Sequence, residues 1–298
     1  PLNWSRDVVP NDNLEFAYIA NPPINQPTIQ TGETFQVGSI FVSPEGLLTN
    51  KGTLKIGGQL IAFPAGINNV NAGIAVGSVE FNNGCSVTPV IDGSIFDNNK
   101  VNNLTIGQNL SISPNTGEGI YVEGQLNFGS VSNAVLQTGD NLTLGSSASR
   151  TASLGKLISG NSLQGKVTVE RYIHTGVGGG RHLKSWQFLS APTVGQSIFN
   201  AWQEGGSNLP GYGTWISGNG SGFDVFSQAP ALKHYDPASN TWIGETNTAN
   251  PVNNGKGYLL FVRGDRTVTT FNGTPVPTIL RSTGNVYQPN NVPPVTNV

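Results

Sequence analysis

Methionine is absent from this 298-residue chain, cysteine occurs once, and only 11% of the residues are charged. Each shortage excludes something. The lone Cys85 cannot form a disulfide within the chain, and it reads as a small buried apolar residue before it reads as a reactive thiol. A net charge of -2 and a pI near 5.9 leave no basic field for nucleic acid or an acidic membrane surface. No signal peptide and no run of about 18 apolar residues is present. With Pro1 first and no methionine, the sequence reads as a processed product or a fragment, its export signal removed or outside the segment.

Glycine (39 residues) and proline (19 residues) are plentiful, which points to many turns and few helices. The 36% of hydrophobic residues stand in alternation, against disorder. One phrase recurs six times: Gly52-Thr-Leu-Lys-Ile, Gly77-Ser-Val-Glu-Phe, Asn102-Asn-Leu-Thr-Ile, Gly124-Gln-Leu-Asn-Phe, Asp140-Asn-Leu-Thr-Leu and Gly165-Lys-Val-Thr-Val. Each copy is a turn former followed by polar, apolar, polar and apolar residues, the period of a strand with one buried face. The first apolar positions, Leu54, Val79, Leu104, Leu126, Leu142 and Val167, are separated by 25, 25, 22, 16 and 25 residues. Such a repeat predicts a parallel β-helix, in which one strand per rung stacks on its neighbour. In register, Lys55, Glu80 and Thr105 would form one outward column with an opposite-charge pair. Gln59–Ala62, Asn109–Ile112 and Gly119–Val122 would supply the other strands of each rung. The 16-residue step does not fit and marks a truncated rung or a misread phrase. An antiparallel sandwich and a propeller compete with the β-helix, since both also use many short strands.

The chain is thus read as all-β in four parts. Residues 1–50 are an N-terminal cap with the first strands, where Trp4 plugs the end of the stack and Phe35–Val37 and Ser39–Val42 begin the solenoid. Residues 51–170 are the β-helix, 171–285 a β-sandwich-like domain, and 286–298 a Pro-rich linker or arm. In the third part the strands are predicted at Val167–Ile173, Lys184–Ser190, Ala231–Tyr235, Gly257–Val262 and Thr267–Phe271. Ile198, Phe199 and Trp202 stand at helical spacing within Gln196–Gln203, the one short helix.

Asn3-Trp-Ser with Val8-Val-Pro, then Pro22-Pro-Ile-Asn-Gln-Pro-Thr-Ile29, Val37-Gly-Ser-Ile and Gly52-Thr-Leu-Lys-Ile, resembles the repetitive surface and secreted proteins of Bacteroidota. More specific are Gly165–Ile173, Trp186–Pro192 and Asn200–Gly205, which are similar to the same group. The resemblance implies a piece of a large adhesin-like protein exported by the type IX route. The sorting domain that ends such proteins is not in this sequence, which stops at Val298.

Most active-site patterns fail. Gly160–Val167 nearly matches a phosphate-binding loop, but Val167 replaces the magnesium-holding hydroxyl and a strand follows where a helix is required. Gly176–Gly180 reads as a hairpin loop and not a dinucleotide turn, and neither Gly-x-Ser-x-Gly nor His-Glu-x-x-His occurs. His174 and His182 lie among Arg171, Arg181 and Lys184, an environment that repels a metal cation, and His234 stands apart. Glu80, Asp92, Asp97, Glu118, Glu123 and Asp140 could serve a glycosidase or a lyase, yet sequence spacing alone does not place two of them on one face at catalytic separation. Asn219–Asp224 offers oxygen ligands for calcium without the spaced acids of a dedicated loop. Tyr235–Trp242 reads as a turn between strands and resembles a single kelch blade motif. Tyr212, Trp215 and Trp242 are the candidates for stacking on sugar rings, set against a role in the core. Six Asn-x-Ser/Thr triplets, at Asn3, Asn103, Asn109, Asn141, Asn219 and Asn272, are mostly chance in so Asn-rich a chain.

The reading that results is a non-enzymatic, extracellular or cell-surface structural and adhesive segment with no cofactor beyond a weak case for calcium. Its partners would be neighbouring modules of the same polypeptide, copies of itself or other surface proteins, and glycans, without nucleic acid or membrane insertion. The alternatives are a carbohydrate-binding module and a polysaccharide-degrading enzyme.

Overall fold

The computed structural model describes residues 11–20, 26–62, 64, 66–71, 74, 75, 77–82, 88–113, 119–158, 160–176, 183–253 and 255–286. Trp4, Cys85, Glu118, Arg181, His182, most of the 176–180 glycine run and the Pro-rich segment 287–298 lie outside the described residues. The chain forms two units. The first is Pro1–Gly145 with Ala152–Lys166, and the second is Ser146–Thr151 with Val167–Val298.

The first unit is a β-solenoid of about six turns. Its first face stacks Thr34–Val42, Thr53–Ile56, Ser78–Phe81, Leu104–Ile106, Gln125–Phe128 and Ser153–Leu154, all parallel. Asn11–Ile19 pairs parallel with Thr34–Val42, so the stack begins earlier than Phe35. Leu54, Val79, Leu104 and Leu126 stand directly above one another, and all four are fully buried. Complete burial of each is worth about 1.5–3 kcal/mol. The second face carries Val90–Ile91, Leu110–Ile112, Val135–Gln137 and Ser162–Gln164, and Leu60–Ala62 pairs with the end of Thr34–Val42. On the third face Lys100–Val101, Ile120–Val122 and Leu142–Leu144 stack parallel, while Thr28–Ile29, Leu48–Asn50 and Ile67–Asn68 stack likewise earlier in the chain.

This arrangement explains the 16-residue step. Leu142 opposes Ile120 on the third face, and the residue above Leu126 is Leu154. The fifth phrase was therefore assigned to the wrong face. Alternation says which side chains point inward, but all three faces share that alternation, so it does not distinguish them. The sixth phrase opens Val167–Ile173, which pairs antiparallel with Thr278–Val286 in the second unit.

The outward column is as the register requires. Lys55 Nζ lies 3.0 Å from Glu80 Oε2, with Thr105 the next residue in the column. Lys100 pairs with Glu123 at 2.8 Å, and Lys166 with Asp140 at 3.3 Å. The backbone N–H of Lys166 also donates to Asp140 Oδ1 at 2.7 Å, which holds that carboxyl below its usual range.

Inside the corners, asparagine amides do the work of backbone pairing. Asn50 and Asn69 are fully buried. Asn50 Nδ2 donates to Asn69 Oδ1 (2.9 Å) and to Ser78 O (3.1 Å), and Asn69 Nδ2 donates to Lys100 O (3.1 Å). Asn161 bridges two strands of chain in the same way, accepting from Ala134 N at 2.8 Å and donating to Val131 O at 2.9 Å. Buried amides are tolerated because they are satisfied. Gly77 sits against this network: a Cβ there would lie 2.3 Å from Asn50 O and 2.6 Å from Asn69 Oδ1.

The second unit contains two antiparallel arrangements. Val167–Ile173 pairs along seven residues with Thr278–Val286, whose C-terminal end pairs with Thr193–Val194. A four-stranded sheet runs in the order Ser185–Leu189, Tyr258–Val262, Leu232–Asp236, Thr241–Gly244. Ile173 and Leu280 from the first arrangement share one core with Leu232, Tyr258, Leu260 and Val262 from the sheet, together with Ile198, Ala201 and Trp202. The predicted helix is a single turn, Ile198–Ala201, capped by Ser197 Oγ, which accepts from Asn200 N at 3.1 Å. Phe199 faces outward.

Two expectations fail here. Thr267–Phe271 is not a strand, because Asp265 turns the chain by accepting at Oδ1 from Thr267 N (2.9 Å) and Thr267 Oγ1 (2.6 Å). The nine-residue strand Thr278–Val286 went unpredicted because its inward positions mix Thr278, Ser282 and Gly284 with Leu280 and Val286. Thr278 Oγ1 donates to Gly213 O at 2.6 Å, and Thr193 Oγ1 donates to Ser282 Oγ at 2.7 Å. The burial alternates, but the hydropathy does not.

Arg266 is only 2% exposed and anchors the loops of this unit. Its guanidinium donates to Asp224 Oδ2 (2.7 Å), Thr214 O (3.2 Å) and Ser207 O (3.1 Å). A buried pair is a poor source of stability but a costly one to break.

Gly77→Ala is expected to destabilise the protein by about 1–3 kcal/mol through overpacking. Gly129→Ala, whose new methyl meets nothing closer than 3.6 Å, should stay within about 0.5 kcal/mol of the parent. Urea unfolding of the two variants measures the contrast. The same measurement on Arg266→Leu should reveal a loss of about 3–5 kcal/mol, because the buried Asp224 carboxylate is left without its cation.

Candidate functional site

Along Ser185–Leu189 the aromatic residues Trp186 and Phe188 are two apart, so both point to one side of the sheet. Trp186 is directly opposite Phe261, Phe188 opposite Leu259, Leu259 opposite Lys233, and Tyr235 opposite Trp242. Opposed residues share a face. Leu232, Tyr258, Leu260 and Val262 fill the core side of the same strands. The outer side is thus a continuous field of Trp186, Phe188, Phe261, Leu259, Lys233, Tyr235 and Trp242.

This field meets solvent. Phe188 is 76% exposed, Trp186 43%, Tyr235 39% and Trp242 37%. Ring centroids are 5.8 Å apart for Phe188 and Trp242, 5.6 Å for Tyr235 and Trp242, and 5.2 Å for Trp186 and Phe261. The rings pack tilted or edge-on, the arrangement that quadrupoles prefer, and Tyr235 Oη is fixed by donating to Asn240 Oδ1 at 2.6 Å. A cluster of exposed aromatic rings on a rigid sheet marks a contact surface more strongly than scattered apolar residues do.

Two cations sit among the rings. Lys233 Nζ is 5.3 Å from the Trp186 ring centroid. The Arg263 guanidinium lies 4.9 Å from Phe261 and 5.2 Å from Phe271, and its remaining contacts are to Trp215 O (3.3 Å) and Ser217 Oγ (3.1 Å). Burial lowers the pKa of Arg263 from its ordinary value. Among the described residues neither cation has a carboxylate partner. Beside Arg263 opens a mainly apolar pocket of about 220 Å³, walled by Trp215, Ile216, Val225, Val268 and Phe271 together with Ser217, Thr269 and Thr270.

The three aromatic candidates from the sequence occupy different settings. Trp242 lies on a strand, Thr241–Gly244, and belongs to the exposed field. Trp215 is half-buried, its indole N–H donating to Arg266 O at 3.0 Å, and it lines the pocket with one edge. Tyr212 is half-buried beneath the Arg281 guanidinium, 4.4 Å from its ring. Arg281 is itself clamped by both oxygens of Glu204 at 2.7–3.1 Å. Burial raises the Glu204 pKa even though Arg281 opposes the shift. Trp186, Phe188, Lys233 and Tyr235 were missed as site residues. The two-residue spacing of Trp186 and Phe188 put them on one face, but with Ser185 and Gln187 between them the alternation pointed the rings inward, opposite to their exposure.

The acidic candidates are used locally. Glu80, Glu123 and Asp140 form the ladder pairs, and Asp92 accepts from Ser94 N at 2.9 Å to cap a turn. Asp97 accepts from Asn98 Nδ2 at 3.1 Å. In the stretch considered for calcium, Asp224 Oδ2 accepts from Gln203 Nε2 (2.8 Å), Ile216 N (2.8 Å) and Arg266, a set of donors that leaves little for a cation. No group of three or more His, Cys, Asp or Glu side chains suited to a metal occurs among the described residues. His234 Nδ1 is 2.8 Å from Glu245 Oε1, and His174 packs edge-on to Tyr172. The stretch resembling a phosphate loop leads into the strand Val167–Ile173 and lacks the helix that loop needs. No described helix is long and apolar enough to cross a membrane. No protein-family model matches this chain, nor does any curated protein or solved structure.

Proposed function

We propose that this chain is a non-enzymatic structural and adhesive segment of an extracellular surface protein, in which the solenoid serves as a spacer and the second unit makes the contacts. The observation that carries this reading is the exposed aromatic face of the four-stranded sheet. A soluble domain gains nothing from leaving Phe188 and Trp242 in water unless something covers them. The β-solenoid is consistent with a spacer, since its stability is a sum over rungs and its length can change without redesign. The likeness of Gly165–Ile173 and Trp186–Pro192 to Bacteroidota surface proteins supports an extracellular setting and export by the type IX route. On this reading the second unit is a sandwich-like module, its two antiparallel arrangements closing over one core.

A second reading, a carbohydrate-binding module, draws on the same face. Aromatic rings held on strands offer flat apolar platforms to the C–H faces of sugar rings. The enzyme reading has less support, because the solenoid carboxylates that could form an acid pair are engaged in ladders and caps.

The test is attachment of the purified chain to bacterial cells and immobilised glycans, with sedimentation and electron microscopy of the same material. The parent is expected to attach, and Phe188→Ser with Trp242→Ala to attach at least tenfold less while keeping its circular dichroism. A chain that stays strictly monomeric and attaches to neither cells nor glycans would overturn the proposal.

A further inference from the structure

We infer that the aromatic face binds an acidic glycan, with Trp186, Phe188, Tyr235 and Trp242 as the stacking platform and Lys233 and Arg263 as partners for the sugar's anionic group. This rests on the reading of that face as a contact surface and names its ligand class.

Three observations on the page lead there. The first is charge. In a chain of net charge -2, the cations within the aromatic field are Lys233 and Arg263, and neither is neutralised by a carboxylate among the described residues. The nearest acids in sequence are turned to other duties: Asp265, two residues from Arg263, accepts from Gly211 N, Thr267 N and Thr267 Oγ1. Asp236 accepts from Ala238 N and from Ser239 in the hairpin turn, and Glu245 accepts on the core side from His234. A half-buried guanidinium satisfied only by a carbonyl and a hydroxyl still attracts an anion, and its planar fork suits a carboxylate or a sulfate ester.

The second is size. Four strands spaced about 4.8 Å apart and five residues long at about 3.3 Å each cover roughly 300 Å². Stable protein partners bury about 800 Å² each. The field is therefore too small to hold a folded protein by itself, whereas a few consecutive sugar rings would cover it. The third is chemistry. The rings that are most exposed alternate with polar tips, the Tyr235 hydroxyl and the Lys233 ammonium. In the neighbouring pocket, whose walls are mainly apolar, Ser217 Oγ accepts from the Arg263 guanidinium at 3.1 Å. An apolar ring face bordered by hydroxyl and anion partners is the pattern a charged pyranose presents in complement.

The anion could be a uronate carboxylate or a sulfate ester, and the experiment separates them. Binding of the full chain is measured to polygalacturonate, to a sulfated galactan and to neutral mannan, at low and high salt. Binding to either acidic polymer, with Lys233→Gln weakening it roughly tenfold and high salt weakening the parent, supports the inference and identifies the anion. Trp242→Ala should weaken binding to the same polymer without steepening the salt dependence, which distinguishes platform from charge. Equal binding to mannan, or indifference to Lys233→Gln, would overturn the acidic-glycan inference and leave the adhesive reading standing. Attachment to cells with no binding to any of the three polymers would overturn it likewise. Failure to attach to cells as well would remove both.

Discussion

Stacking in register is the constraint on which the first unit depends. Leu54, Val79, Leu104 and Leu126 form one buried column because each rung repeats the same number of residues between equivalent inward positions, or differs from it by a few absorbed in a corner. Slipping one strand by one residue would turn its apolar side chains outward and bring its own charged residue, Lys55 or Glu80, into the core. The column therefore fixes the outer surface as well. Its exterior carries charge ladders, with Lys55 on Glu80 and Lys100 near Glu123.

The corners meet a second demand. Where the chain turns from one face to the next, backbone groups lose their ladder partners and need others. Asn50, Asn69 and Asn161 supply them from inside the fold, which is why so polar a residue is buried there and why glycine stands beside it at Gly77. Asparagine abundance and glycine abundance in this composition have the same origin. They are the cost of turning repeatedly around a narrow core.

Around its apolar core, the second unit also buries polar side chains and exposes aromatic ones. Arg266, Thr278 and Ser282 lie within, satisfied by carbonyls, hydroxyls and Asp224, while Trp186, Phe188 and Trp242 lie without. Polar groups inside hold long loops in one arrangement, since each has a particular partner. Aromatic groups outside remain free to meet something else. The sheet that carries these exposed rings and the cations Lys233 and Arg263 belongs to the second unit and not to the repeat.

Much of the solenoid was legible in the letters because its signal is local and repeated. Polar–apolar alternation after a turn former names the buried residues of a strand, and six copies name a stack; the pairing of Lys55 with Glu80 followed from counting alone. What counting left open was the face, since the phrases at Leu104 and Leu142 look alike yet lie on different sides of the coil. The strand Thr278–Val286 escaped for a different reason: its inward threonine and serine are buried only because Gly213 and Thr193 arrive from distant parts of the chain to bond them. The candidate site was half visible. Trp242 could be picked out as an aromatic beside a turn, but Phe188 and Trp186 joined it only when strands distant in the chain were laid side by side. Sequence by itself determined which residues alternate, and so which strands could form and which side chains share a face. Tertiary structure alone decided which strands became neighbours, because pairing is a long-range choice made by the whole core, and with it which aromatic rings were left facing water.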